Sequence, residues 1–360
     1  MEGLAGINVP EMLKKAAEEN VSDIFITSGA PIMFKKDGAI RQAYEARIMP
    51  DSAVKLLEEI FTLSNGKSFE EFNKSGDCDF SLSLTGLGRF RVSAFKQRNS
   101  MAAVIRVVKH ALPDYQSLGI PETVIDLYKK TRGLTLVTGP AGSGKSTTLA
   151  SIINLINEQR SCHVLTVEDP IEYLHSHKKG IVNQREVGTD TMNYAKVLGY
   201  GLRQSPDVIL IGEMRDINTM SVALNAAETG TYILSSLHTL GATNAINRII
   251  DVFPPAQQHQ IRLQLSVVLQ AIVSQQLLPS PTKGRVAVFE IMIVNSAIRN
   301  MIREAKAHQI DTAINSGAAQ GMQLMDYSIA EAFKKGDITR ETALTYCVNP
   351  DTLNKYTGNT

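Results

Sequence analysis

Hydrophobic positions change their spacing near residue 112. Before it, short stretches alternate apolar and polar residues; after it, compact apolar runs are separated by segments of helical period. In the first part, residues 9–20 place Met12, Leu13, Ala16 and Ala17 on one face of a short helix, and residues 21–27 follow as an alternating strand. Residues 28–31 turn the chain into a strand at 32–35, and Lys36, Asp37 and Gly38 mark a second turn. Helices at 50–62 and 67–74 precede a meander of strands at 78–84, 89–95 and 102–108, with a turn at 85–88 between the first two. The pattern predicts a small α+β unit over residues 1–111.

Residues 112–121 read as a linker, and a helix at 122–130 leads into an apolar strand at 134–137. Further apolar runs at 163–167, 208–211 and 232–237 alternate with helical segments, which predicts a mainly parallel sheet covered by helices. Ligands of such sheets bind at the carboxyl ends of the strands. After Pro254 and Pro255 a long helix is expected from Ala256 to Leu278, then a strand at 286–294. Helices at 296–305, 307–316, 326–335 and 339–346, punctuated by Gly317 and Gly336, complete the chain. The expected organisation is thus a nucleotide-binding core at 122–295 and a helical C-terminal region at 296–360.

The core takes that name from the turn between the 134–137 strand and the next helix. Gly139, Pro140, Ala141, Gly142, Ser143, Gly144, Lys145 and Ser146 complete the phosphate loop G-x-x-x-x-G-K-[ST]. Its glycines let successive amides point into one concavity, and the following helix adds its free N–H groups and positive dipole end. Lys145 is expected to reach the β and γ phosphates, Ser146 to ligate magnesium, and Thr147 to act as the next donor. Leu149, Ile152, Ile153 and Ile156 recur at the spacing of the required apolar-faced helix.

Other apolar strands also end in polar residues. Glu213 follows the 208–211 strand, where a carboxylate either holds magnesium through water or orients the attacking water; the competing reading has it cap the next helix or pair with Arg215. Glu168, Asp169 and Glu172 crowd another strand end, which is costly unless a cation is near. A metal–nucleotide site explains the cluster, and so does a helix start with Pro170 in its first turn. His238 ends the 232–237 strand. A lone histidine is usually structural, but its place at the same sheet edge suits a hydrogen bond to the γ-phosphate. In the first unit Phe90, Val92 and Ala94 alternate with Arg89 and Arg91, and Arg106 interrupts an apolar strand. Such a row is either a solvated surface or, given a phosphate loop, a source of arginines for a neighbouring copy's site, with Arg91 and Arg106 as the candidates.

Bulk composition narrows the classes further. Hydrophobic content of 43% and charged content of 20% fit a globular chain, and 37 Lys plus Arg against 36 Asp plus Glu give no global field toward nucleic acid or anionic lipid. Three separated cysteines, Cys78, Cys162 and Cys347, suggest a reducing compartment rather than a disulfide framework. The start of the chain shows no basic n-region with an apolar core, and no run reaches the length of a membrane span. A cytoplasmic location is expected, with any membrane association through a partner.

With these pieces in order, the chain resembles the PilT-type retraction ATPases of type IV pili, in the secretion superfamily of hexameric ATPases. The resemblance runs through Ser22 and Asp23, residues 88–95, the phosphate loop at 139–146 and the acidic box at 168–172. It continues through residues 183–188, 207–216 and His238. Residues 297–304 are similar to the AIRNLIRE signature of retraction enzymes, with Met301 in place of Leu, a volume-conserving change. The stretch from Arg91 to Arg98 is closer to the PilU-type paralogue.

The resemblance implies a PAS-like N-terminal domain, a RecA-like ATPase domain and a homohexamer with ATP and Mg2+ between subunits. It implies Glu213 as catalytic, Glu172 or Glu168 as the acidic-box residue, a role for His238, and Arg91 and Arg106 acting across the interface. An inner-membrane platform protein at the pilus base is the implied partner, beside a possible paralogue. Pilus-assembly and type II secretion ATPases share the chemistry, but typically carry an extra N-terminal domain and a tetracysteine zinc site that this sequence lacks. A non-hydrolysing nucleotide sensor is opposed by Lys145, Ser146 and Glu213, and a DNA translocase by the charge balance.

Overall fold

The computed structural model describes residues 7–36, 38–64, 66–84, 87–108 and 112–358. Asp37, Thr85 and Gly86, at the tips of two expected turns, lie outside the described residues, as do residues 1–6. The chain forms two compact units, one of residues 1–111 together with Glu172–Leu174, the other of residues 112–171 and 175–360.

In the first unit, α1 (Val9–Glu18) starts on Asn8, whose side chain accepts the Glu11 amide, and buries Met12, Leu13 and Ala16. Three strands follow, β1 (Asp23–Thr27), β2 (Pro31–Lys36) and β3 (Ala39–Arg47). The sequence reading has no β3, because this edge strand is mostly exposed and lacks apolar alternation. Helices α2 (Pro50–Leu63) and α3 (Phe69–Ser75) lead to β4 (Asp77–Leu84), β5 (Gly88–Gln97) and β6 (Ser100–Val108). Among the described residues these strands make one six-stranded antiparallel sheet, ordered β3-β2-β1-β6-β5-β4. Ile24, Ile26, Phe90, Val92 and Ile105 pack with Leu13 and Leu57 in its core.

In the second unit, a helix was expected at 122–130, but α4 (Glu122–Ile125) gives way to a 3-10 turn at Asp126–Lys129. The Leu127 carbonyl in that turn accepts the buried Tyr232 hydroxyl at 3.0 Å. The elements that follow are β7 (Gly133–Thr138), α5 (Lys145–Gln159), β8 (His163–Glu168), β9 (Ile181–Glu186), α6 (Tyr194–Gly201) and β10 (Val208–Ile211). Next come α7 (Ile217–Glu228), β11 (Tyr232–Leu237), α8 (Ala242–Asp251), α9 (Pro255–Val268), β12 (Leu269–Ser280) and β13 (Gly284–Ile293). The chain continues through α10 (Ser296–Arg303), α11 (Ile310–Ser316), α12 (Met325–Lys334), α13 (Arg340–Tyr346) and α14 (Pro350–Thr357).

The long helix expected from 256 to 278 is a correction: α9 stops at Val268, and β12 occupies the rest. From Leu269 to Leu278 nearly every side chain is buried, and β12 lies between β7 and β13 in the sheet. Such burial on both faces, with Ser274, Gln275 and Gln276 buried among the apolar residues, fits an internal strand, and period alone does not separate it from a buried helix. The sheet order is β13-β12-β7-β11-β10-β8-β9, parallel except for the β12–β13 pair. Val137, Val164, Leu234 and Val273 face α5, while Leu136, Leu165, Ile211 and Ile233 face α6 to α9. With both faces closed, the carboxyl edge of the parallel strands is left for chemistry.

Candidate active site

That edge gathers most of the residues expected from the sequence. The loop after β7 is bent by Gly139, Gly142 and Gly144, with φ of 144°, 76° and 89°. A Cβ on Gly139 would lie 2.2 Å from the Gln275 backbone carbonyl oxygen, so β12 admits only glycine there, while at Gly144 the left-handed φ is what calls for glycine. Gly142 meets nothing within 4 Å and marks the open side of the loop. Pro140 and Ala141 are exposed beside it. Lys145 is buried and donates to the carbonyls of Gly139 and Pro140, both at 2.9 Å. The buried Ser143 hydroxyl has no hydrogen-bond partner. Ser146 is exposed in the first turn of α5, and Thr147 is half-buried after it. A glycine-bent concavity with an unanswered hydroxyl and an ammonium resting on neutral carbonyls fits a polyphosphate, whose charged oxygens are stronger acceptors than carbonyls.

Glu213 lies beyond β10, 9% exposed, with both carboxylate oxygens engaged. Arg215 reaches Oε1 at 2.5 Å, and His238 Nε2 lies 3.2 Å from Oε2. The pairing with Arg215 that the sequence left open therefore exists, and it coexists with a contact to His238. Backbone bonds align the neighbouring strand ends: the Gly212 amide donates to Val167 at 2.8 Å, and the Gly139 amide to Leu237 at 3.2 Å.

Glu168 ends β8 half-buried and accepts Thr166 Oγ1 at 2.7 Å and Gln184 Nε2 at 3.2 Å. Glu172 is exposed in the following loop, so of the two acidic-box candidates only Glu168 is held at the strand end. Arg215, paired with Glu213, also interacts with the charge of Asp169, one of the three crowded acids.

Three residues of this edge escaped the sequence reading. Tyr194 opens α6, and burial, followed by the charges of Asp169, Glu213 and Glu168, holds its phenol well above its usual range. Gln275 supports the loop by accepting Thr148 Oγ1 at 2.7 Å. Glu186, 3% exposed at the end of β9, accepts the Ile171 amide at 2.9 Å and so ties down the acidic loop. Tyr194 stands in a polar stretch without a motif, Glu186 lies in the 183–188 stretch of the resemblance but receives no role from it, and Gln275 falls inside the segment expected to be helix.

The candidate arginines belong to the first unit. Arg91 and Arg106 are directly opposed across β5 and β6, and Arg106 donates to Asp23 at 3.0 Å. In the 297–304 segment, Ile298 and Ile302 are fully buried, and Arg299 donates to the carbonyls of Ser266 and Val267 at 2.9 and 2.6 Å. Arg299 therefore closes the C-terminal end of α9 just before β12.

The sequence profile of the Type II/IV secretion system protein family matches residues 5–342. The type IV pilus retraction ATPase PilT of Pseudomonas aeruginosa is 42% identical over 337 residues, covering 94% of this chain and 97% of that protein. The type IV pilus ATPase PilU of the same organism is 38% identical over 344 residues, covering 95% and 89%. The crystal structure of the pilus retraction motor PilT with bound ADP matches with a TM-score of 0.89 at 42% identity, over 97% of this chain and all of that one. On these matches the chain belongs to the Type II/IV secretion system protein family, and its relatives there include PilT-type pilus retraction ATPases.

Proposed function

We propose that this chain is a magnesium-dependent ATP hydrolase that works as a homohexameric ring and drives pilus retraction from the cytoplasmic face of the inner membrane. The observation that carries this reading is the convergence of the phosphate loop, Glu168, Glu213 and His238 on one sheet edge, in a chain that matches PilT over nearly its full length. In this reading the second unit is the RecA-like core with its helical C-terminal region, and the first is a PAS-like domain.

Amides of the loop around Gly142 and Gly144 and of the first turn of α5 would hold the phosphates. Lys145 would leave the carbonyls of Gly139 and Pro140 for the β and γ oxygens, and Ser146 would take one magnesium position. Bound magnesium supplies neutralisation of charge on those oxygens. Glu213 either holds that ion through water or orients the attacking water, and His238 fixes one of its oxygens. Glu168 is the better placed acidic-box residue, with Glu172 as the alternative. Arg91 and Arg106 from the adjacent copy would bring positive charge to the γ-phosphate. An inner-membrane platform protein would receive the motion, a PilU-like paralogue is a candidate companion, and nucleic acid is not a partner. No helix among the described residues is long and apolar enough to cross a membrane, so the platform would provide the membrane contact.

Phosphate release with ATP and magnesium tests the assignment. Lys145→Ala and Glu213→Gln should each abolish turnover while the purified protein stays folded and assembled. Near-normal release by both variants would reject these roles. Cells lacking the protein should carry excess pili that do not retract; bald cells would point to assembly instead.

A further inference from the structure

A buried carboxylate in the second unit has no part in the chemistry above. Glu290, on β13, is 6% exposed. Its Oε1 accepts the amide of Ala242, the first residue of α8, at 2.7 Å. The backbone at Met325, the first residue of α12, lies beside the same carboxyl. Neither helix has a side-chain cap at its own N-cap, where Gly241 and Leu324 stand. One side chain thus satisfies an orphan donor at the start of α8 and stands next to the start of α12.

The two helices lead to different places. α8 follows directly from residues 238–241, and Gly241 donates to Ser274 Oγ at 2.9 Å, next to the Gln275 that braces the phosphate loop. α12 leads outward: Asp326, 4% exposed, accepts the amides of Val348 and Asn349 at 2.6 and 2.9 Å, which ties the entry of α14 to α12. The segment before α12 is fixed to β13 by reciprocal backbone bonds between Ile291 and Gln323 at 2.9 and 3.1 Å. We propose that Glu290 is a positioning residue of the nucleotide site: by holding the starts of α8 and α12 in one register, it sets the loop that presents His238 to Glu213 and couples that loop to the C-terminal helices. The inference rests on the role given above to His238 and Glu213.

Burial, opposed by the Ala242 amide and the backbone at Met325 and reinforced by the charges of Asp311 on α11 and Asp326 on α12, pushes the Glu290 carboxyl up to about 7. Because this lies above the ordinary 4.5, its contribution to stability is full below about 4.5 and is lost as pH rises through about 7. The ionised form is the better acceptor for the Ala242 amide and the better partner for the positive end of α12. Its contribution to positioning therefore grows with pH while its contribution to stability falls. A purely structural carboxyl would move activity and stability together.

The test uses the full chain and two readouts across neutrality: ATP turnover, and amide exchange in the first turns of α8 and α12 corrected for intrinsic rates. Wild-type turnover should fall about fivefold on the acid side with the KM for ATP unchanged. Glu290→Gln should be flat at the acid level, with faster exchange at both helix starts. Glu290→Asp should restore part of the pH dependence. A Glu290→Gln protein with the wild-type pH profile, or with unchanged exchange, overturns the proposal. If Glu290→Gln does not fold, wild-type exchange at Ala242 and Met325 must still quicken on acidification, and its failure to do so also overturns it. A wild type without any ATP turnover rejects the hydrolase reading instead, and the exchange measurement then decides on Glu290 alone.

Discussion

The two units place charge by opposite means. At the strand ends of the second unit the chain answers its own charges: Arg215 and His238 take the two oxygens of Glu213, and Lys145 rests on the carbonyls of Gly139 and Pro140. On the first unit's sheet, Phe90, Val92 and Ile105 fill the core, while Arg91 and Arg106 are set directly opposite each other on the other face. Like charges so opposed on a sheet cost up to about 1 kcal/mol. The strand-end charges of the second unit are paired within that unit; in the first, Asp23 answers Arg106, while Arg91 and Arg106 still face each other, and the proposed role across subunits rests on that opposed pair.

The sharpest way to break this contrast is to separate the two contributions and recombine them. Arg91→Ala and Arg106→Ala should each lower ATP turnover by about 10³ if the guanidinium acts across subunits, while nucleotide binding by the second unit is kept. Neither Arg91→Ala nor Lys145→Ala protomers should turn over ATP alone. Mixed before assembly, they should regain turnover, since some interfaces then pair an intact loop with an intact arginine. Phosphate release from the mixture is the measurement. A mixture no more active than its parents would place the arginines outside the site.

What was legible in the sequence follows the same division. The phosphate loop is a local motif, and the strands around 134–137, 163–167, 208–211 and 232–237 are buried on both faces, so the residues announce both loop and sheet without long-range information. β12 was misread because Leu269 to Leu278 has the composition of any buried element, and only its pairing with β7 and β13 separates strand from helix. With the strand, Gln275 was lost as well. Tyr194 and Glu290 were out of reach for another reason: their roles depend on partners distant in sequence, namely the acids at two strand ends and the starts of two helices. That Thr166 and Gln184 hold Glu168 likewise depends on a partner distant in sequence.

Gln275 offers a smaller but cleaner test of how far the second unit's site is set by its own interior. Gln275→Ala removes the acceptor of the buried Thr148 hydroxyl and the side chain packed beside Gly144. The expected loss is about 1–3 kcal/mol of stability from the orphaned hydroxyl, measured by denaturant unfolding, together with weaker nucleotide binding. A double replacement with Thr148→Val should recover much of the stability, because no unpaired group remains. Nucleotide binding should stay impaired in the double variant if Gln275 shapes the loop, and should recover with stability if it only fills space.

The smallest expected effect tests the first unit's side of the contrast. Asp23 is buried, but the Arg106 side chain that it holds is 68% exposed, and ion pairs with one end in water contribute roughly 0–1 kcal/mol. Asp23 also accepts the Ser22 hydroxyl at 2.9 Å, a bond that Asp23→Asn can retain. Asp23→Asn should therefore unfold within about 1 kcal/mol of the wild type and reduce turnover far less than Arg106→Ala, because the guanidinium remains and only its aim is relaxed. Thermal unfolding and phosphate release on the same preparation check both halves. A stability loss well beyond that range, with turnover as low as in Arg106→Ala, would mean that Arg106 serves chiefly as the partner of Asp23. The first unit would then satisfy its charges internally, as the second does, and the opposed arginines would need no neighbouring copy to explain them.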